Sequence, residues 1–234
     1  MNQVNIFIGF DYRERAATNV LIDSLYINSK SPISVTPLIT SQLKRQNLYW
    51  RDKDKNQSTD FSFTRFLVPY LMNYDGWAIF MDCDMLCRTD ISELVDLHDD
   101  EYAVMCVKHN HFPNEKVKFQ GEKQTSYPKK NWSSLMLFNC RKCKSLSLDY
   151  VNNASGLDLH RFHWLDGDHL IGSIDEKWNH LVEVNTDKKN LDNEKIKILH
   201  WTLGGPWFKD QRYSGERFAA EWFAARDIST KLWD

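Results

Sequence analysis

Two aspartates one residue apart, Asp82 and Asp84, directly follow the apolar run Trp77-Ala78-Ile79-Phe80-Met81. In an extended chain residues i and i+2 point to the same side, so these two carboxylates converge on one point. Like charges that close repel each other unless a cation or a proton lies between them. Solvated turn aspartates after a core strand are the competing reading of so short a pattern. The five apolar residues ahead of the pair favour a site, because open α/β sheets bind ligands beyond the carboxyl ends of their strands. A second group arrives late in the chain, where Lys195-Ile196-Lys197-Ile198-Leu199 delivers His200, followed by Trp201 and then Gly204-Gly205-Pro206-Trp207. A histidine at a strand end ahead of glycines can bring an imidazole and open backbone amides to one place. Asp82, Asp84 and His200 form a mixed oxygen and nitrogen ligand set, which suits Mn²⁺ better than Mg²⁺, the alternative ion.

Elements that would hold these groups can be read from the periodicity. Short β-rich runs are expected over 5–10, 34–39, 77–81, 102–107, 134–138, 180–184 and 196–200. Ala16, Ala17, Val20, Leu21, Ser24 and Leu25 repeat at helical spacing after the first run. Residues 40–57 are polar and predict a surface loop or short helix, and 61–73 predict a helix interrupted at Pro69. Asp75-Gly76 is a turn signal before the acidic strand, and 89–94 reads as a capped short helix. A last helix is expected over 216–226, with Phe218, Ala219, Trp222 and Phe223 on one side. Residues 108–130 are basic, polar and aromatic, and so long a loop in a compact domain is usually functional. Strands alternating with helices predict an α/β, Rossmann-like single domain with a mostly parallel central sheet flanked by helices.

Composition narrows the function classes. With nine glycines and six prolines in 234 residues, collagen-like and linker-rich readings fall away. A formal charge of −2 gives no global field to attract nucleic acid. The apolar runs are strand-sized and fall short of the ~18 residues that cross a membrane, and the N-terminus lacks the marks of a signal peptide. Five cysteines, Cys83, Cys87, Cys106, Cys140 and Cys143, are an odd number, which favours reduced thiols and a cytoplasmic location. Cys140 and Cys143 have no second Cys/His pair at zinc spacing, so all five read as small apolar residues. Trp201, Trp207, Phe208, Phe218, Trp222, Phe223 and Trp233, with Lys209, Arg212 and Arg217 nearby, raise peripheral membrane contact as an option. Core packing is favoured over it, because Glu216 and Glu221 interrupt any basic face.

Further short motifs stand in order around the acidic pair. Gly9-Phe10-Asp11-Tyr12 closes the first strand, and Phe63-Thr64-Arg65-Phe66 precedes the acidic one. After it come Asn131-Trp132-Ser133-Ser134-Leu135-Met136-Leu137-Phe138-Asn139 and then Leu165-Asp166-Gly167-Asp168-His169-Leu170. Together with Phe80 through Leu86 and His200 through Trp207, they resemble a metal-dependent GT-A glycosyltransferase. The likeness is greatest to glycosyltransferase family 8, which includes bacterial lipopolysaccharide galactosyl- and glucosyltransferases and glycogenin.

The resemblance implies transfer of a hexose from a nucleoside diphosphate sugar, UDP-glucose or UDP-galactose, to a hydroxyl of a glycan or glycolipid acceptor, with retention of configuration. It implies metal ligation by Asp82, Asp84 and His200, and nucleotide binding around Gly9, Phe10, Asp11, Tyr12, Arg65, Asp82, Gly204 and Gly205. Asp166, Asp168 and Asn131 would face the donor sugar. Residues 1–107 would be mainly the nucleotide half, and 108–234 mainly the acceptor half with the C-terminal helix. Two positions depart from the family pattern: Gly205 stands where a diphosphate-binding lysine is usual, and Gly167 where an amide side chain is usual. Lys209, Arg212 or a lysine of 108–130 is a candidate replacement for the first. Asp166 also fits a helix N-cap for 168–174. Two rival readings remain. One is a haloacid-dehalogenase-type phosphatase with Asp82 as nucleophile, although Leu86 stands where that motif has Thr or Val. The other is a catalytically silent sugar-nucleotide or glycan-binding module, which the missing lysine would suit.

Overall fold

The computed structural model describes residues 3–53, 57–109, 129–182, 184, 193–215 and 217–231. Most of the 108–130 loop, and also Glu216 and Trp233, lie outside them. Six strands form the main sheet: β1 (Val4–Gly9), β2 (Ile33–Leu38), β3 (Trp77–Met81), β5 (Val104–Val107), β6 (Leu135–Asn139) and β7 (Ile171–Ile174), in the order β2-β1-β3-β6-β5-β7. Five run in one direction and β6 runs against them between β3 and β5. The sheet is therefore mostly parallel, as the alternation of elements predicts. β5 and β6 are buried at every position and β3 at all but its first, which explains their continuous apolar sequence.

A second sheet of three strands carries the other half of the site. β4 (Met85–Cys87) pairs antiparallel with β9 (Ile198–His200), and β8 (His180–Leu181) pairs parallel with β9. Helix α1 (Arg15–Asn28) buries Ala17, Thr18, Val20, Leu21, Ser24 and Leu25, whereas Ala16 of the expected face is exposed. The last helix, α7 (Arg217–Ser229), packs Phe218, Ala219 and Trp222 out of solvent, with Phe218 and Trp222 in an apolar cluster with Val20, Leu86, Leu199 and Trp201. Among the described residues no helix is long and apolar enough to cross a membrane. All five cysteines are free and buried, as small apolar side chains would be.

Two expected elements differ. The run 61–73 is a 3-10 turn (Thr64–Leu67) and then a helix, α3 (Val68–Leu71), with Pro69 in its first turn, where a missing amide hydrogen costs nothing. Helix 168–174 is absent: Asp168–Leu170 is a single 3-10 turn that runs straight into β7. Residue 172 pairs with Met105 of β5, and a β-carbon on Gly172 would sit 2.6 Å from the Tyr102 ring. Strand pairing and close approach thus override the local cap signal, and Gly167, not Asp166, precedes the turn.

Candidate active site

β3 ends at Met81, and Asp82 continues its ladder by donating its amide to Ser134 O at 2.8 Å. Cys83 then turns into the core and leaves Asp82 and Asp84 on the other side, each partly buried. The register Met85↔His200 between β4 and β9 brings the histidine to the acidic pair, and Trp201 N–H donates to Asp84 O at 2.9 Å. His200 Nε2 lies 3.2 Å from Asp84 Oδ1. One ligand atom from each of Asp82, Asp84 and His200 lies within 4.8 Å of the other two.

The donor set fits a divalent cation. Asp84 Oδ1 and His200 Nε2 are both buried and neither has a hydrogen-bond partner. Buried polar atoms left in this state cost free energy unless something satisfies them. Two carboxylates and one imidazole are a ligand set for Mn²⁺ or a similar ion.

The Asp82 carboxylate already faces a cation of the protein itself. Arg65 Nη1 sits 2.9 Å from Asp82 Oδ1 and donates to Ser133 O at 2.8 Å. The guanidinium lies over the Phe61 and Phe80 rings, at 5.2 and 5.0 Å from their centroids. The resemblance assigns Arg65 to the nucleotide sugar; its contacts in the structure are with the Asp82 carboxylate and the Ser133 carbonyl ahead of β6. Its Nε–H is buried without a partner.

Glu14 is a residue that motif reading missed. It precedes α1, is only 1% exposed, and its Oε2 has no hydrogen-bond partner. Burial, and then the carboxylates of Asp84, Asp11 and Asp82, push its carboxyl well above 4.5, against a smaller opposing pull from Arg13. The signal was in the helical spacing, because Glu14 is one turn before Thr18 and two before Leu21 on the buried face. The raised value has a consequence for stability. Below about pH 4.5 both folded and unfolded chains hold this proton, and Glu14 costs nothing. As pH rises the unfolded chain ionises first, so stability is lost up to the folded value, by at most ~1.4 kcal/mol per pH unit. In metal-free protein Glu14→Gln should therefore gain on the wild type between about pH 5 and pH 7 in urea unfolding. A difference that stays flat with pH would mean that Glu14 is ionised in the folded chain.

Other expected residues take varied positions. Asp11 is buried, with Oδ1 accepting from Arg13 N and Nε and Oδ2 from Arg13 Nη2 and Asp60 N. Burial pushes this carboxyl up, but those hydrogen bonds outweigh it and hold it below the usual range. Its side chain braces the loop after β1. Phe10 and Tyr12, 5.0 Å apart edge to face, line a cleft of about 260 Å³ with Thr40, Tyr49, Arg51 and Gln57. Gly9 is required by packing, since a β-carbon there would stand 2.2 Å from the Phe61 ring.

Gly204, at φ +104°, donates its amide to Trp201 O, and a β-carbon on Gly205 would stand 2.2 Å from the Trp207 ring. These glycines turn the chain and seat an aromatic ring, and the Gly204 amide is not open. Asp166 and Asp168 are exposed and outside the Asp82, Asp84 and His200 cluster; Asp168 pairs with Lys129. Asn131, in the left-handed region at φ 64°, offers its carbonyl to the Ser134 hydroxyl at 2.6 Å.

Comparison with known proteins agrees with this architecture. The profile of glycosyl transferase family 8 matches residues 14–150. A relative from Arabidopsis thaliana, "Protein CDI", is 48% identical over 205 residues, covering 87% of this chain and 79% of its own. Among solved structures, the galactosyltransferase LgtC in complex with donor and acceptor sugar analogs superposes with a TM-score of 0.59 at 10% identity, over 99% of this chain and 98% of its own. The bifunctional glycosyltransferase WbbM gives a TM-score of 0.66 at 14% identity, over 99% of this chain. GlyE of Streptococcus pneumoniae TIGR4 gives 0.63 at 13% over the whole chain. The chain spans 50% of the WbbM chain and 61% of the GlyE chain. At such identities the structural likeness carries the fold alone, the α/β architecture of GT-A glycosyltransferases.

Proposed function

The chain belongs to glycosyl transferase family 8, and from that premise we propose that it moves a hexose from a UDP-sugar, UDP-glucose or UDP-galactose, to a hydroxyl of a glycan or glycolipid. The observation that carries this reading is the convergence of Asp82, Asp84 and His200 beyond the end of β3. A bound Mn²⁺, or Mg²⁺ in its place, supplies positive charge to the leaving diphosphate.

The protein's own groups do the rest. Asp82, Asp84 and His200 hold the ion. The cleft lined by Phe10, Tyr12 and Tyr49 presents aromatic rings to a nucleotide base, with Arg51 at its wall. Arg65 sets the position of the Asp82 carboxylate and keeps one N–H for a further acceptor. Asp166, Asp168 and Asn131 are assigned to the sugar side. Gly167 carries no side chain for a double displacement, which suits retention without a stable glycosyl-enzyme. Residues 1–107 supply the nucleotide side, while 108–234 supply His200 and the acceptor side. Free, buried thiols suit a reducing compartment such as the cytoplasm. The phosphatase alternative needs Asp82 as an attacking nucleophile, whereas its Oδ1 faces the Arg65 guanidinium.

A panel of nucleotide sugars with Mn²⁺, read by thermal shift and by slow sugar release, tests the proposal. One UDP-hexose should raise the melting temperature and be hydrolysed only with the metal present. Stabilisation by that ligand without hydrolysis or transfer to any acceptor would overturn the enzymatic reading in favour of a binding module.

A further inference from the structure

We propose that Asn179 is a positioning residue that fixes the His200 ring as its Nδ1–H tautomer and so turns the Nε2 lone pair toward Asp84. The proposal rests on the metal-site reading above for its functional meaning, and on a directional chain of hydrogen bonds for its geometry.

Asn179 is fully buried at the end of the 3-10 turn Glu176–Trp178, immediately before β8. Parallel pairing of β8 with β9 sets Leu181 opposite His200 and brings the asparagine alongside the ring. The Asn179 amide lies between two partners: its Nδ2 donates to Ser134 Oγ at 2.9 Å, and its Oδ1 stands 2.8 Å from His200 Nδ1.

The direction of the chain follows from its far end. The Asn131 carbonyl can only accept, and Ser134 Oγ lies 2.6 Å from it, so the single hydroxyl proton of Ser134 is committed there. Ser134 Oγ must then accept from Asn179, which requires the NH₂ end of the amide at that contact. Oδ1 is left facing His200, and an acceptor at 2.8 Å requires a proton on Nδ1. Turning the amide over would set its oxygen 2.9 Å from Ser134 Oγ, whose single proton cannot serve both that oxygen and the Asn131 carbonyl 2.6 Å away. In the neutral ring Nε2 is therefore the lone pair, and it is this atom that lies buried, unpartnered and 3.2 Å from Asp84 Oδ1. A histidine that ligates a metal characteristically has its second nitrogen anchored in this way. Here the anchor is an asparagine held by a serine and a backbone carbonyl. The same Ser134 accepts the Asp82 amide through its own carbonyl at 2.8 Å, so one residue braces both the carboxylate and the imidazole side.

The test uses the full chain. Long-range ¹H–¹⁵N spectra of metal-free protein should show His200 as the Nδ1–H form in the wild type and lose that signature in Asn179→Ala. Mn²⁺ affinity, measured by electron paramagnetic resonance, should fall about 10- to 100-fold in the same variant. Asn179→Asp keeps an acceptor for Nδ1 once Ser134 turns its proton from the Asn131 carbonyl to the new carboxylate, and should restore the Nδ1–H signature. If Asn179→Ala does not fold, Ser134→Ala frees the amide to turn and should give a mixture of tautomers. An Nε2–H ring in the wild type, or an unchanged tautomer in a folded Asn179→Ala, overturns the proposal. His200→Ala separates the two levels. If it leaves Mn²⁺ affinity intact the metal reading fails, while the spectra still decide the tautomer.

Discussion

Asp84→Asn and His200→Ala are each expected to lower Mn²⁺ affinity by more than about 100-fold, since residues that merely orient metal ligands already cost 10- to 100-fold. Mn²⁺-dependent UDP binding should disappear with it. The two variants remove different things. Asp84→Asn keeps the size of the side chain but deletes a charge beside Asp82 and the buried Glu14. Relief of that crowding should leave the metal-free protein as stable as the wild type, or slightly more so. His200→Ala removes a ring that is 1% exposed and leaves Asn179 Oδ1 without its donor, so it should also lose stability, by about 1–3 kcal/mol. Loss of binding without loss of stability in Asp84→Asn is thus the more telling result. Calorimetric titration of UDP with and without Mn²⁺ reads it directly, and unchanged Mn²⁺-dependent binding in both variants would remove these residues from the metal site.

Why Asp82 and Asp84 were legible in the sequence, and Asn179 and Glu14 were not, has a physical answer. A strand buried on both faces writes a continuous apolar run, so the end of Trp77–Met81 stood out and the acidic pair with it. His200 was legible for a similar reason at the end of Ile198–His200. What joins the two is β4, three residues long, and its register with β9. No local pattern distinguishes three buried residues, so convergence of the triad was an inference from ligand chemistry and resemblance.

Asn179 and Ser134 act through hydrogen bonds to residues distant in sequence, and nothing in their neighbours announces such bonds. Asp11 and Arg65 were assigned to the nucleotide by resemblance. The structure shows Arg13 and the Asp60 amide taking up one of these side chains and Asp82 facing the other. Two of the glycines assigned with them also carry a packing role that the motifs do not announce. Gly9 and Gly205 stand at expected positions, but the closest demand on them is room for the Phe61 and Trp207 rings.

Arg65→Met is expected to destabilise the metal-free protein by about 3 kcal/mol, the scale on which removing one partner of a buried ion pair leaves the other charge uncompensated. The side chains of Arg65 and Asp82 are 6% and 14% exposed, so water at the edge of the pair moderates the loss without removing it. The guanidinium also fills space between Phe61 and Phe80 and satisfies Ser133 O, contributions that the methionine chain replaces only in part. The charge component can be separated from the packing component with the metal. Asp82 without its guanidinium is a stronger attractor for a divalent cation, so Mn²⁺ should stabilise Arg65→Met more than it stabilises the wild type. Because the wild type binds the ion too, only the difference in affinity narrows the gap, by about 1.4 kcal/mol for each tenfold tighter binding by the variant at saturating ion. The deficit measured by urea unfolding without metal should therefore narrow when Mn²⁺ is added, leaving the packing loss. Arg65→Lys, which restores the charge but not the planar group between two rings, should start from a smaller deficit and respond less to Mn²⁺. Should the deficit of Arg65→Met be the same with and without Mn²⁺, the guanidinium is not the counter-charge of Asp82, and its place beside the acidic pair serves packing alone.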